Sequence, residues 1–197
     1  MALITTSEFA RFMFDKYKFT LASASPRRRE LLSGLDIAFT VEPLKEEKEV
    51  FGENLPHDRI PEYIALNKSN TFHRALEDNE ILITADTLVM LGDAVLGKPK
   101  DREDAFRILK MLSGNTHTVF TGVVIRSIRK TKSFTASTEV TFRTLEDWEI
   151  EYYIDKYRPY DKAGAYGIQG IGGLFVKEIR GDYYNVVGLP IAKLRET

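Results

Sequence analysis

The chain has 197 residues, 28 Lys and Arg against 29 Asp and Glu, and no cysteine. The charge balance excludes a global basic field for nucleic acid, and the missing thiols exclude disulfides, zinc–thiolate centres and cysteine nucleophiles. The length suits one large domain or two closely packed small ones.

Residues 6–17 have the spacing of an amphipathic helix, with Phe9, Phe12 and Met13 on one side and no chemical motif. Glu8, Arg11 and Asp15 interrupt any signal-peptide pattern, and no apolar run is long enough to span a membrane. A cytoplasmic protein that engages neither membrane nor nucleic acid is therefore expected.

Residues 18–35, KFTLASASPRRRELLSGL, predict a strand, a polar loop and a helix start. Tyr17, Phe19 and Leu21 alternate with polar neighbours, Ser25 suits an N-cap, and Pro26 suits the first helical position. Arg27, Arg28 and Arg29 crowd the positive end of the helix dipole, where a cation is disfavoured. A helix start that combines open N–H groups, serine hydroxyls and arginines is a place to hold an anion. The alternative is three solvated arginines.

A short strand over 37–41 leads into the charged run PLKEEKEVFGENLPHD. Such runs are mostly solvated, yet Glu46 and Glu47 follow a strand end, where sites are commonly built. Residues 57–76 predict one long helix, in which Ile64 and Phe72 flank Lys68 at steps of four. Lys68 either snorkels to the edge or reaches from the apolar stripe into a site.

Residues 80–91, EILITADTLVML, form the strongest predicted strand and suit the centre of an α/β sheet. Asp86 is the exception in that apolar run. A buried carboxylate is costly unless paired, hydrogen-bonded or metal-bound. It is either a cap or turn aspartate, or a catalytic or metal-binding one.

Gly92-Asp93 predicts a turn and 94–96 the return strand. The segment 92–98 matches GxxxxGK, but Pro99 stands where a phosphate-binding loop needs Ser or Thr. Lys98 remains a candidate just before the next helix. That helix has Asp101 as its cap, Ala105, Ile108, Leu109 and Leu112 as its apolar face, and Gly114 as its stop. Residues 117–128 and 133–143 predict a hairpin around Arg129-Lys130-Thr131. Residues 146–157 predict a helix with Trp148, Ile150, Tyr152 and Tyr153 packed inward.

The last third contains DKAGAYGIQGIGGLFV, whose glycines permit tight turns and close approach to a ligand but do not form a dinucleotide fingerprint. Its amide, Gln169, is suited to a base edge. Residues 175–179 and 183–187 predict closing strands, and Pro190 starts a short terminal helix. His57, His73 and His117 read as surface or strand residues. The pieces add up to a polyphosphate site: an anion-holding helix start, two lysines, and candidate metal carboxylates at Glu47 and Asp86. Water is the simplest nucleophile, with Asp86 as its base or as the ligand of its metal.

The segments LASASPRRRELL, TADTLV, GKPKDREDAFRILKMLSG and DKAGAYGIQGIGGLFVKEIRGDYYNVVGLP give the chain a resemblance to the Maf family of nucleoside triphosphate pyrophosphatases. The resemblance covers nearly everything after residue 18. It implies hydrolysis of a nucleoside triphosphate to the monophosphate and pyrophosphate with a divalent metal, Mg2+ or Mn2+, and members of the family are often homodimers. It also implies the α/β fold of inosine-triphosphate pyrophosphatases: an elongated mixed sheet flanked by helices, in two lobes with a central cleft. Residues 18–197 would form that single domain, with 1–17 a helical extension.

By the same resemblance, Ser23, Ser25, Arg27 and Arg28 fall on the phosphate-holding motif, Lys68 and Lys98 on the family's two lysines, and Asp86 on the proton acceptor. Glu47 falls on an acidic metal position, with Glu46 the alternative register. The ADT and AGAYGIQG patterns resemble the subgroup that acts on dTTP and UTP, with Arg27, Thr87 and Gln169 at the positions tied to that choice. The competing reading is a nucleotide-binding regulator of septum formation without turnover, which intact Asp86, Lys68 and Lys98 disfavour.

Overall fold

A computed structural model describes residues 16–44 and 55–197. The predicted 6–17 helix and Glu46 and Glu47 fall outside the described residues, except that Lys16 and Tyr17 form a turn and bend.

The first unit is as its sequence predicts. Strand β1 (Lys18–Leu21) runs into helix α1 (Pro26–Ser33), and the Ser25 hydroxyl caps the helix by accepting from the Arg28 N–H. Strand β2 (Phe39–Val41) follows. A 3₁₀ turn (His57–Arg59) then leads into helix α2 (Ile60–Asn70). The helix stops at Thr71, six residues short of the predicted length. The apolar spacing continues to Phe72, which is buried, but the Thr71 hydroxyl bonds back to the Asn67 carbonyl and the backbone leaves the helix there.

Strand β3 (Glu80–Leu91) is the spine, and Gly92, at φ +57°, turns it into β4 (Ala94–Leu96). Helix α3 (Arg102–Leu112) has the expected Asp101 cap and buries the face Ala105, Ile108, Leu109 and Leu112. Burial of each large member of that face is worth about 1.5–3 kcal/mol. Strands β5 (Thr116–Arg126) and β6 (Thr131–Phe142) make the long hairpin. Helix α4 (Asp147–Tyr157) begins with a capping box between Glu146 and Glu149. Its aromatics divide: Tyr153 is buried, whereas Trp148 and Tyr152 are exposed, contrary to the expected inward packing. They lie on the side of α4 that faces solvent.

Strand β7 (Val176–Arg180) closes the edge. Residues 183–187 are not the second closing strand but a short helix, α5 (Tyr183–Val187). The β-branched and aromatic content misleads there. Asp182 caps the Tyr184 N–H, Gly188 at φ +121° ends the turn, and buried Asn185 is spent on the Val119 carbonyl and the Thr138 hydroxyl. Helix α6 (Ile191–Glu196) follows Pro190 as predicted.

The described strands form one seven-stranded mixed sheet in the order β2-β1-β3-β5-β6-β7, with β4 pairing the last residues of β3, Val89 to Leu91, beyond the stretch that β1 covers. Strand β1 is parallel to β2 and β3, while β3, β5, β6 and β7 are antiparallel in turn. The two faces of β3 are covered differently. Ile83, Ala85 and Val89 join the main core with α1, α3 and α4, whereas Leu88 and Met90 pack on Ile60 and Ile64 of α2. Helix α2 lies so close to the sheet that a Cβ on Gly122 of β5 would come within 2.2 Å of the Pro61 and Glu62 backbone. Thr84 donates from the same face to the Ala65 carbonyl of α2.

Candidate active site

The site is built where the parallel part of the sheet ends. β1 stops at Leu21, and the Ala22 N–H bonds to the Ile83 carbonyl. The chain then lifts into the serine loop while β3 continues past it. The carboxyl end of a parallel strand, facing a helix N-terminus, is the usual place for a ligand in such sheets.

The serine–arginine motif is tied together by its own hydrogen bonds. Buried Ser23 accepts from the Ser25 N–H at 3.2 Å and from Arg28 Nη1 at 3.4 Å. Arg28 also donates through Nε to the Gly188 carbonyl at 2.8 Å and through Nη2 to Thr87 Oγ1 at 2.9 Å. Thr87 in turn bonds to Thr121 Oγ1 at 3.0 Å, and Thr121 donates to the Asn185 carbonyl. Arg28 is therefore oriented by groups from β3, the serine loop and the end of α5. Arg27 takes a different partner: its Nη1 lies 2.9 Å from Asp161 Oδ2. Burial pushes the Asp161 carboxyl up, but Lys162 and Arg27 outweigh it and hold it below its ordinary value.

Lys68 and Asp86 meet on the other face of β3. Lys68 Nζ lies 2.6 Å from Asp86 Oδ1, and Asp86 is only 8% exposed. The close seating of α2 on Gly122, the residue across from Asp86 on β5, puts Lys68 within reach. Of the two readings left open for Lys68, its contact favours the reach inward. Asp86 is a mid-strand carboxylate, neither a cap nor a turn residue.

The glycine-rich segment comes to the same end of the molecule as two 3₁₀ stretches, Ala163–Ala165 and Gly170–Phe175. Gly164, at φ +71°, would bring a Cβ within 3.1 Å of Val89, so both its backbone and its close pass over β3 favour glycine. Its N–H bonds to the Gly97 carbonyl, which fastens this segment beside exposed Lys98. Gln169 Nε2 lies 3.5 Å from Glu30 Oε2 of α1. The segment thus leans on α1 at two points, Asp161 on Arg27 and Gln169 near Glu30.

The structure brings Ser23, Ser25, Arg28 and Thr87 into one hydrogen-bonded group, pairs Lys68 with Asp86, and sets Arg27 and Gln169 along α1 against the glycine-rich segment. Glu47 lies outside the described residues. Sequence reasoning missed Asp161, Thr121 and the Gly188 carbonyl. Asp161 heads the glycine-rich motif and was visible as a charge there; Thr121 is an ordinary strand residue, and a backbone carbonyl leaves no mark in a sequence.

A second carboxylate on β3 was also missed. Glu80 is 2% exposed and receives Arg74 Nη1 and Nη2 at 2.8 and 2.7 Å, the Thr20 hydroxyl at 2.6 Å and the Glu77 N–H at 3.0 Å. The Arg74 guanidinium above all, then Thr20 and Glu77, lower the Glu80 carboxyl to about 2. Arg74 also grips Glu42 through Nε and Nη2. His117, a strand residue as read, is fully buried; it bonds to Tyr166 at 2.8 Å, and burial lowers it to about 4.

A mixed sheet flanked by helices, with a serine- and arginine-bearing helix start where the parallel strands end, defines an α/β protein. The Maf-like protein family model matches residues 18–197, and the chain belongs to that family. Among its relatives is a dTTP/UTP pyrophosphatase of Bacteroides thetaiotaomicron, 50% identical over 181 residues, which cover 91% of this chain and 94% of the relative. One from Porphyromonas gingivalis is 48% identical over 179 residues, 89% of this chain and 90% of the relative, and carries the same name. So does one from Clostridium botulinum, 50% identical over 182 residues, 90% of this chain and 96% of the relative. A solved HAM1 protein from Coxiella burnetii overlays 64% of this chain and 73% of its own at 14% identity, with a TM-score of 0.44.

Proposed function

We propose that this chain hydrolyses nucleoside triphosphates, dTTP and UTP first among them, to the monophosphate and pyrophosphate. The observation that carries the reading is the Lys68–Asp86 pair at 2.6 Å in the middle of β3, next along the strand to Thr87, which receives Arg28, in a chain about half identical to enzymes of that name.

In this reading the α1 N-terminus, the two serine hydroxyls and Arg28 grip the phosphates, while Lys98 approaches from the β4 side. Arg27 exchanges Asp161 for a phosphate oxygen. Water attacks the α-phosphorus, Asp86 accepts the water proton, and the bond from the α-phosphorus to the bridging oxygen breaks, releasing pyrophosphate. Lys68 fixes the Asp86 carboxylate and adds a positive charge where negative charge develops. Thr87 and Gln169 select the base, Thr87 through Arg28 and Gln169 directly.

The donor chemistry suits a hard divalent cation. Asp86 offers carboxylate oxygen, and Mg2+ is commonly held by one or two carboxylates with substrate phosphates and water completing its shell. Among the described residues no cluster of three or more His, Asp or Glu adds a ready-made cage. Asp86 with Glu47 would hold the cation, and Mg2+ or Mn2+ there would neutralise charge on the phosphate oxygens. A homodimer and a cytoplasmic setting complete the reading. No helix among the described residues is long and apolar enough to cross a membrane.

The test is a panel of dTTP, UTP, the other canonical triphosphates and 7-methyl-GTP, with Mg2+ or Mn2+ and separate detection of pyrophosphate and orthophosphate. Pyrophosphate release fastest from dTTP and UTP is expected. Orthophosphate as the product would overturn the reaction, preference for 7-methyl-GTP would overturn the subgroup, and tight binding without turnover would favour a regulator.

A further inference from the structure

The hairpin end of the sheet carries a charge pattern that the pyrophosphatase reading does not use. Residues 126–132 read RSIRKTK, four cations in seven residues with no acid, in a chain whose overall charge is close to zero. A concavity of about 390 Å³ near Glu62 has acidic and basic walls alike, but a larger one of about 610 Å³ lies at this end. Its walls include Arg126, Arg129 and Lys130 with Asn70, Phe72 and Ile128, and among the described residues no carboxylate lines it.

The cations there differ in how far they are spent. Arg74, on the rim, gives its donors to Glu80, Glu42 and the Ala75 carbonyl. Arg126 is half-buried, and its Nε is shut off from solvent with no hydrogen-bond partner among the described residues. A half-buried guanidinium beside which no carboxylate lies is costly to keep charged, and an anion in the hollow would offset that cost. Arg129 and Lys130 are exposed at the turn. Their backbone is fixed: Ser127 Oγ accepts from both of their N–H groups, and the Ser127 N–H bonds to the Lys130 carbonyl. The charges thus stand on a rigid tip.

We infer that this concavity is a second anion site, separate from the one that holds the substrate, and that it takes a di- or triphosphate group. Three cations with no ion pair among the described residues, around a hollow of this size, match a ligand with several negative charges, and guanidinium forks match phosphate oxygens in geometry. A single carboxylate would leave most of that charge unmet. Arg126 stands across from Leu82, four residues along β3 from Asp86, or about 13 Å at strand spacing. The two sites are therefore distinct. The phosphate group belongs either to free polyphosphate or to a nucleotide, for which Phe72 and Ile128 supply apolar wall.

The test titrates the full-length protein with tripolyphosphate by calorimetry, without divalent metal. It compares the unaltered chain with R126Q/R129Q/K130Q and with R129Q/K130Q, in which only exposed side chains change and the fold is safe. Two binding events are expected in the unaltered chain. One should weaken about tenfold or more in the triple variant and to a lesser degree in the double variant. Turnover of dTTP should keep its kcat and KM within about twofold, since no substrate-gripping residue is altered. Pyrophosphate and ADP, titrated in parallel, separate the sources: loss of either one's binding in the variants supports the site, and the tighter of the two identifies the source. Identical isotherms in all three proteins would overturn the proposal. So would a loss of binding matched by an equal rise in the KM for dTTP, because the anion would then be sitting with the substrate.

Discussion

Strand β3 buries two carboxylates on the same face, six residues apart, and the two are held in opposite ways. Glu80 is clasped by an arginine fork, a threonine hydroxyl and a backbone N–H, all at 3.0 Å or less. Asp86 is met at 2.6 Å by the ammonium of Lys68. A guanidinium fork fixes a carboxylate by shape, whereas an ammonium is a point charge on a flexible stem that follows its partner. Glu80 is thus locked as a girder, joining β1, β3 and the residues after α2. Asp86 keeps a partner whose flexible stem lets it move with the carboxylate. Burial of a carboxylate therefore says little about chemistry by itself; the kind of cation beside it says more.

Four experiments break or sharpen that contrast. The largest effect is expected from Asp86→Asn, which should lower kcat for dTTP by about a thousandfold or more while binding and folding persist. Near-normal turnover in a pyrophosphate-release assay would remove Asp86 as proton acceptor. Gly122→Ala comes next. Its methyl has no room under α2, so stability should fall by about 1–3 kcal/mol in urea, and kcat should fall with it as Lys68 is lifted from Asp86. A variant that loses stability but not kcat would separate the seating of α2 from the pair.

Glu80→Gln should do the reverse of Asp86→Asn. It leaves buried donors facing one another and should cost about 2 kcal/mol in denaturant midpoint, with kcat per folded molecule unchanged. The lowered Glu80 carboxyl also carries a pH signature. Its stabilisation is complete above the ordinary glutamate value and is lost as pH falls through about 2, so acid unfolding of Glu80→Gln should be less steep below pH 5.

The smallest effect lies away from both carboxylates. His117 is neutral when folded and takes a proton more readily when unfolded, so stability should decline as pH drops from 6.5 towards 4. About 2 kcal/mol should be lost between pH 7 and pH 5, and His117→Gln should flatten that slope in paired guanidinium titrations.

The parts of this molecule that were legible in sequence are those governed by local rules. The Ser25 and Asp101 caps, the Gly92 turn and the long hairpin follow from residue type at close spacing, and Asp86 stood out because it interrupts an apolar run. What was not legible depends on partners distant in the chain. Glu80 read as the edge of a strand because Arg74 and Thr20 reach it only in the fold. The 183–187 segment has the composition of a strand but is a helix, because Asn185 satisfies β5 and β6 in a way no ladder would. Helix α2 ended early at a hydroxyl bond that its apolar spacing does not reveal. Trp148 and Tyr152 show the converse: large aromatics predict burial on average, not at a given site.

Asp86 and Thr87 are adjacent in the chain, yet alternation along β3 sends one towards α2 and the other towards α1. Under the proposed assignment, neighbouring codons govern chemistry and choice of base through separate neighbourhoods. A substitution at Thr87 would therefore alter the α1 side without touching the contact that Asp86 makes on the α2 side. A single-residue insertion in β3 before Asp86 would turn both side chains to the opposite faces at once, taking Asp86 from Lys68 and Thr87 from Arg28 together.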